Sequence, residues 1–113
     1  MACLFCDIAE GKIPANTLIE TDRVIAFKDI SPQAPTHILV VPKRHVENVL
    51  ELTDQDPTLS HHLFEVIKSV VETEKLTNSG FRVITNTGAD GGQTVPHLHF
   101  HILGGRPLSW PPG

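Results

Sequence analysis

The sequence predicts an α+β fold, a mostly antiparallel sheet with one long helix packed on one face. Three observations carry that expectation. Five short stretches have strand character, and only one long stretch has a helical period. Helices are then too few to supply a crossover at every step between strands. The third observation is the short turn Thr21-Asp22-Arg23 between two of the strand stretches.

The elements follow in chain order. Phe5 to Glu10 reads as a short helix stopped by Gly11. Thr17–Glu20 and Val24–Lys28 read as strands joined by a turn at Thr21-Asp22-Arg23. Ser31-Pro32-Gln33-Ala34-Pro35 is a rigid loop. The run His37-Ile38-Leu39-Val40-Val41, closed by Pro42, is rich in β-branched residues and predicts a buried strand. From Pro57 to about Leu76 the residues Leu59, Leu63, Ile67, Val70 and Val71 recur at helical spacing, and polar residues fill the opposite face. Pro57 suits the first turn, and Asn78-Ser79-Gly80 ends the helix. His61 and His62 on this helix read as surface or boundary residues. Phe81–Asn86 is a further strand. A glycine-rich loop follows over Thr87–Gln93, and the last strand contains His97, His99 and His101.

With 113 residues the chain suits one domain, 1–113, and shows no repeat or low-complexity segment. A net charge of −4 argues against a nucleic-acid partner, because a polyanion requires a basic stripe. A small anion stays open, since a few backbone N–H groups hold one phosphate. No apolar run approaches bilayer-spanning length, so no membrane association is expected. The start, MACLFCDIAEGK, has no basic segment followed by an apolar one, so no leader is expected and the cytoplasm is the default location. The two cysteines, Cys3 and Cys6, are spaced C-x-x-C. That spacing suits half of a zinc site or a redox pair, and equally two small buried residues; a disulfide is not expected in a reducing compartment.

Residues 94–103, TVPHLHFHIL, place three histidines at alternate positions. Side chains alternate across a strand, so His97, His99 and His101 share one face while Leu98, Phe100 and Ile102 enter the core. Same-face neighbours lie about 7 Å apart. Such a row can coat a polar face by accident, bind a metal, or supply a nucleophile whose neighbours set tautomer and charge. No Asp or Glu lies between Gln93 and Gly113, so a metal at the row would need a ligand from elsewhere. The glycine loop favours the nucleophile: Gly88, Gly91 and Gly92 permit close backbone approach to an anion, and Asn86 and Thr94 flank it with neutral donors.

His97-Leu98-His99-Phe100-His101-Ile102-Leu103 resembles the signature of the histidine triad (HIT) superfamily. The resemblance runs along nearly the whole chain. Phe27-Lys28-Asp29-Ile30-Ser31-Pro32-Gln33-Ala34-Pro35-Thr36-His37 and Val41-Pro42-Lys43-Arg44-His45 are similar to the first half of its HINT branch, the histidine triad nucleotide-binding proteins. Asp90-Gly91-Gly92-Gln93-Thr94-Val95 and the ending Leu103 to Gly113, with Ser109-Trp110-Pro111-Pro112-Gly113, are similar to the second half.

The resemblance implies a HIT-like fold that pairs in a homodimer as one ten-stranded sheet. It implies hydrolysis of purine nucleoside phosphoramidates, AMP joined to an amine such as lysine among them, with no cofactor for the catalysis. His99 maps to the nucleophile, which forms a nucleotidyl-histidine; a backbone carbonyl, that of His97, would fix its tautomer. His101 maps to a donor to phosphoryl oxygens, and Thr94 to a hydroxyl near phosphate or leaving group. Asn86, Gly92 and Gln93 map to the phosphate loop, Asp29 to the ribose acceptor, and Phe5, Ile13, Phe27 and Ile30 to the base pocket. Without the family, those four would be read as core. His37 maps to support beside the triad, with a plain buried histidine after Pro35-Thr36 as the alternative, and Trp110 in the tail 104–113 maps to the partner subunit.

Cys3 and Cys6 depart from the common eukaryotic HINT pattern. Bacterial relatives that carry them bind a structural zinc, whose other ligands map to His45 and His97. A closed Cys₂His₂ set leaves no open position for catalysis. The alternatives are a dinucleoside polyphosphate hydrolase of the same superfamily, against which the Trp-Pro-Pro-Gly ending speaks, a nucleotide-binding scaffold with residual hydrolysis, and a catalytic metal at the triad itself.

Overall fold

A computed structural model describes residues 3–113; Met1 and Ala2, where the leader reading begins, lie outside them. The chain runs through α1 (Leu4–Ala9), β1 (Thr17–Glu20), β2 (Val24–Lys28), β3 (Thr36–Pro42), α2 (Val49–Leu52), α3 (Pro57–Thr73), β4 (Phe81–Ile84) and β5 (Phe100–Gly104). The five strands form one antiparallel sheet in the order β1-β2-β3-β5-β4. The expected α+β class and its five-stranded antiparallel sheet are therefore present.

Strand alternation sorts the core into two layers. Val24, Ala26, Ile38, Val40, Phe100 and Ile102 face α3 and pack with Leu59, Leu63, Val66, Ile67, Val70 and Val71. Each fully buried side chain of that size contributes about 1.5–3 kcal/mol. Ile25, Phe27, Leu39 and Val41 point the other way and pack with Phe5 of α1. β3 is buried on both faces from His37 to Pro42, which explains its continuous apolar run.

Several boundaries differ from the sequence reading. α1 starts at Leu4, with the Cys3 sulfur accepting from the Cys6 N–H at its N-terminus. α3 begins where Asp56 accepts from the Thr58 N–H and Pro57 occupies the first turn. It ends at Thr73 rather than near Leu76, because Lys75, not a glycine, takes the left-handed conformation (φ 59°). The Leu76 N–H then returns to the Val71 carbonyl at 2.9 Å, and the Leu76 side chain still reaches the core. α2 has no amphipathic run long enough to announce it; Asn48 starts it by accepting from the Leu50 and Glu51 N–H groups. β4 ends at Ile84 rather than Asn86, since the Thr85 hydroxyl turns to the His99 carbonyl at 3.0 Å. His61 is exposed as expected, and His62 meets the Thr21 hydroxyl at 3.0 Å.

The largest correction concerns the histidine strand. β5 begins only at Phe100, so His97 and His99 lie before it, His97 in a bend where its N–H returns to the Val95 carbonyl at 2.8 Å. Pairing with β3 stops at Val40–Phe100, because Pro96 cannot donate and the Leu98 N–H turns to the Val46 carbonyl at 2.6 Å. Leu98, Phe100 and Ile102 nevertheless enter the core.

Candidate active site

The register of the sheet brings the imidazoles together on the α1 side. β3 and β5 pair Leu39 with His101, so His37, two residues before Leu39 on the same face, is a diagonal neighbour of His101. The His99 and His101 ring centroids are 5.0 Å apart, closer than the spacing of a regular strand. Beside them lies a cavity of about 270 Å³, lined by Phe5, Phe27, Asp29, Thr94, His99 and His101 among others. Ile13 and Ile30 also line it, but at its rim: Ile13 is 36% exposed and Ile30 101%. The core reading therefore fails for those two, while Phe5 and Phe27 serve core and cavity at once. Leu4, Ile8 and Val95 complete the apolar wall; nothing in their spacing marked them.

Hydrogen-bond partners assign a tautomer to His99, His37 and His101. His99 Nδ1–H donates to the His97 carbonyl at 2.7 Å, which leaves His99 Nε2 with a free lone pair. The Gln33 N–H donates to His37 Nδ1 at 3.0 Å, so the proton of neutral His37 sits on Nε2. His37 Nε2–H donates to His101 Nδ1 at 2.9 Å, and the proton of neutral His101 is therefore on its Nε2. Among the described residues no buried side-chain nitrogen or oxygen lacks a partner. The Nε2 atoms of His99 and His101, which have none, thus open on the cavity their rings line. One presents a lone pair and the other an N–H.

Burial favours the neutral forms of His37, His97 and His101. Burial, helped by His99 and His37, holds the His101 pKa down to about 4 against the pull of Asp29. Burial lowers His37 as well, again opposed by Asp29, whose carboxylate is 3.4 Å from His37 Nε2. The other Asp29 oxygen accepts from the Ser31 N–H at 2.8 Å. Burial likewise lowers His97.

Cys3, Cys6, His45 and His97 form a second cluster behind the triad, with all four ligand atoms within 4.8 Å of one another. The Cys3 sulfur lies 3.5 Å from His45 Nδ1 and 3.2 Å from His97 Nδ1; the Cys6 sulfur lies at 3.3 and 3.5 Å. Tetrahedral zinc, with sulfur at ~2.3 Å and nitrogen at ~2.0–2.1 Å, has S···N edges near ~3.6 Å. The donor set fits such an ion. His97 Nε2–H donates to the Pro42 carbonyl at 2.8 Å, which frees Nδ1 to ligate and supplies the outer hydrogen bond that metal-bound histidines use. Burial, with the Cys3 thiol beside it, pushes the Cys6 thiol up to about 11; a bound cation would reverse that order.

Asp29, His37 and His101 also gather three ligand-type atoms, but their protonation does not suit a metal. The Gln33 N–H already takes the His37 Nδ1 lone pair, so Nε2 carries a proton where a ligand would need a lone pair.

The glycine loop is built by side-chain amides. Asn86 Nδ2 donates to the Gly91 carbonyl at 2.6 Å, and Gln93 Oε1 accepts from the Gly88 N–H at 3.1 Å. Gln93 Nε2 donates to the carbonyls of Glu47 (2.7 Å) and Val95 (3.1 Å). Asn86, Gly92 and Gln93 thus lie in the loop rather than on the cavity wall, and Thr94 connects the two.

A five-stranded antiparallel sheet with a histidine row on one face and a long helix on the other defines a histidine-triad protein. The chain belongs to the HIT domain family, whose profile matches residues 10–108. It is 49% identical over 110 residues to an uncharacterized HIT-like protein of Synechococcus elongatus, covering 97% of this chain and 96% of that one. A HIT family hydrolase from Legionella pneumophila superposes with a TM-score of 0.95 at 44% identity, covering 99% of this chain and 100% of the other. A histidine triad nucleotide-binding protein from Candida albicans gives 0.84 at 31%, with 97% and 83% covered. The likeness to HIT hydrolases, together with the intact histidine cluster, supports hydrolase chemistry in general. Among the described residues, no helix is long and apolar enough to cross a membrane.

Proposed function

We propose that the protein hydrolyses purine nucleoside phosphoramidates, such as adenosine 5′-phosphoramidate or AMP-lysine, through a nucleotidyl-His99 intermediate. The observation that carries this is the tautomer of His99, whose Nδ1–H is held by the His97 carbonyl while Nε2 opens on the cavity. The base occupies the apolar wall of Phe5, Phe27, Ile13 and Ile30, and Asp29 accepts from the ribose hydroxyls. His99 Nε2 attacks the α-phosphorus and forms a P–N bond. The substrate's P–N bond breaks, and its electron pair leaves with the amine, which takes up a proton from water. His101 Nε2–H donates to a phosphoryl oxygen, and the Thr94 hydroxyl serves the phosphate or leaving group. The positive charge on the nucleotidyl-imidazole is offset by the His97 carbonyl, and its neutral neighbours add no repulsion. Water then attacks phosphorus and gives up a proton to solvent, the P–Nε2 bond breaks with its electron pair returning to Nε2, and AMP is released.

His99→Ala should abolish turnover of adenosine 5′-phosphoramidate and leave AMP binding largely intact. Mass measurement of wild type quenched during turnover should find an added adenylyl group on His99. Near-normal hydrolysis by the variant would exclude this nucleophile. The alternative, a dinucleoside polyphosphate hydrolase, uses the same residues and would show itself as faster cleavage of diadenosine polyphosphate. A nucleotide-binding scaffold would show AMP affinity with only residual turnover of either.

The reading extends to the HINT branch, a structural zinc on Cys3, Cys6, His45 and His97, a cytoplasmic setting and a homodimer. One zinc per chain is expected in protein purified without chelator; none, with both thiols free, would remove that part. For the dimer, β4 is an edge strand with one side unpaired, and Phe64, Phe81 and Val83 expose apolar surface around it. Joining two such edges gives the ten-stranded sheet. Arg82 Nη2 donates to the Leu108 and Ser109 carbonyls at 3.2 and 2.9 Å, and Trp110 beyond them is 82% exposed. The tail 104–113 would deliver that indole to the partner subunit.

A further inference from the structure

The cysteine–histidine cluster and the cavity wall are two sides of one element. α1 has six residues, and Phe5 is its only buried one. Cys3 and Cys6 meet His45 and His97 on one side, while Leu4, Phe5 and Ile8 line the cavity on the other. The Phe5 ring lies edge-on to His99 (centroids 5.0 Å apart), to His97 (5.9 Å) and to Phe27 (5.8 Å). A helix this short is not held by its own backbone bonds. Its place rests on the buried Phe5 ring, on the partly buried Ile8 and Ala9 beside it, and on the two sulfurs.

The other half of the cluster is anchored without α1. His97 is fully buried and donates to Pro42. The segment after His45 is joined to the triad segment twice, by the Leu98 N–H to the Val46 carbonyl and by Gln93 to the Glu47 and Val95 carbonyls. His45 and His97 are therefore the fixed jaw, and α1 is the part a metal would hold against it.

We propose that α1 is a metal-latched wall of the nucleotide cavity. A zinc-class cation on Cys3, Cys6, His45 and His97 holds Phe5 against His99, so that metal and purine nucleotide bind with positive coupling. Phe5 is the positioning residue that carries the coupling. The nucleotide side of this inference rests on the function proposed above. Linkage makes the effect reciprocal: AMP raises the affinity for Zn²⁺ by the factor by which Zn²⁺ raises the affinity for AMP.

The test compares the full chain loaded with Zn²⁺ and stripped by a chelator, reading AMP affinity by calorimetry and amide hydrogen exchange by residue. Stripping should weaken AMP binding about 5-fold or more, the low end of ordinary coupling. Exchange should quicken over residues 4–9 and stay unchanged in β2 and β3, and added Zn²⁺ should reverse both effects. Phe5→Leu should keep zinc uptake and lose the dependence of AMP affinity on zinc. Equal AMP affinity and equal α1 exchange in the two forms would overturn the latch. So would failure to take up Zn²⁺, or an exchange increase spread through β2 and β3, which would make the metal a requirement of the whole fold. A zinc-loaded protein that binds no AMP overturns the nucleotide reading instead; zinc-dependent protection confined to α1 would still uphold the latch, and its absence would overturn it.

Discussion

At the residue scale, the chemistry is set by which ring nitrogen carries the proton. Imidazole is symmetric enough for either, and here a carbonyl or an N–H placed at one nitrogen decides. His37 shows the consequence. It touches His101 rather than the cavity, and its Nε2–H, fixed by the Gln33 N–H, obliges His101 to present an N–H outward. His37→Phe removes that donor and leaves the His101 tautomer free. A lost hydrogen bond of about 1.4 kcal/mol corresponds to a roughly tenfold fall in kcat/KM. Steady-state kinetics on the phosphoramidate check this, and an unchanged kcat/KM would show that His101 does not depend on His37.

At the scale of elements, a loop and a helix lead to opposite expectations. In the glycine loop, a Cβ on Gly91 would run into the Thr87 carbonyl, a backbone atom that cannot swing aside. Gly91→Ala should therefore displace the loop, cost about 1–3 kcal/mol of stability by urea unfolding and raise KM for the phosphoramidate in steady-state kinetics. In α3, Leu63 is completely buried between helix and sheet. Leu63→Ala should cost ~2–5 kcal/mol of stability, measured by urea unfolding, yet keep kcat/KM near the wild-type value where the variant is folded. A large kinetic defect there would mean that the α3 layer communicates with the site.

At the scale of the whole molecule, acid sensitivity and assembly follow. His101 titrates near 4 in the fold and near 6.5 as a free side chain. Between those values the unfolded chain binds a proton the folded chain refuses, so the stability is fully present above about 6.5 and is lost as pH falls toward about 4. His37, shifted in the same direction, adds to it. The urea midpoint should fall steadily from pH 7 to pH 4.5, and His101→Asn should flatten that slope; equal slopes would rule out His101 as its source. For assembly, Val83→Lys on the exposed edge strand should shift the proposed dimer to monomer in sedimentation. A variant that stays dimeric would place the interface elsewhere.

The sequence by itself determined the elements whose signal is local. The strands β1 to β3 and the body of α3 are visible because apolar residues recur with the period of the structure they form. The triad was legible for the same reason, together with the motifs flanking it. What the tertiary structure alone decided is long-range. That Cys3 and Cys6 meet His45 and His97 in a set able to hold a metal, as the resemblance implied, depended on segments 39 to 94 positions apart along the chain coming together. That Ile30 stands at a cavity rim rather than in the core, and that β5 starts three residues after His97, depended on where pairing with β3 stops. The tautomers depended on the backbone of Gln33, Pro42 and His97, and main-chain groups are alike at every position of a sequence. Only the fold distinguishes them, by bringing one particular N–H or carbonyl within reach of one particular ring.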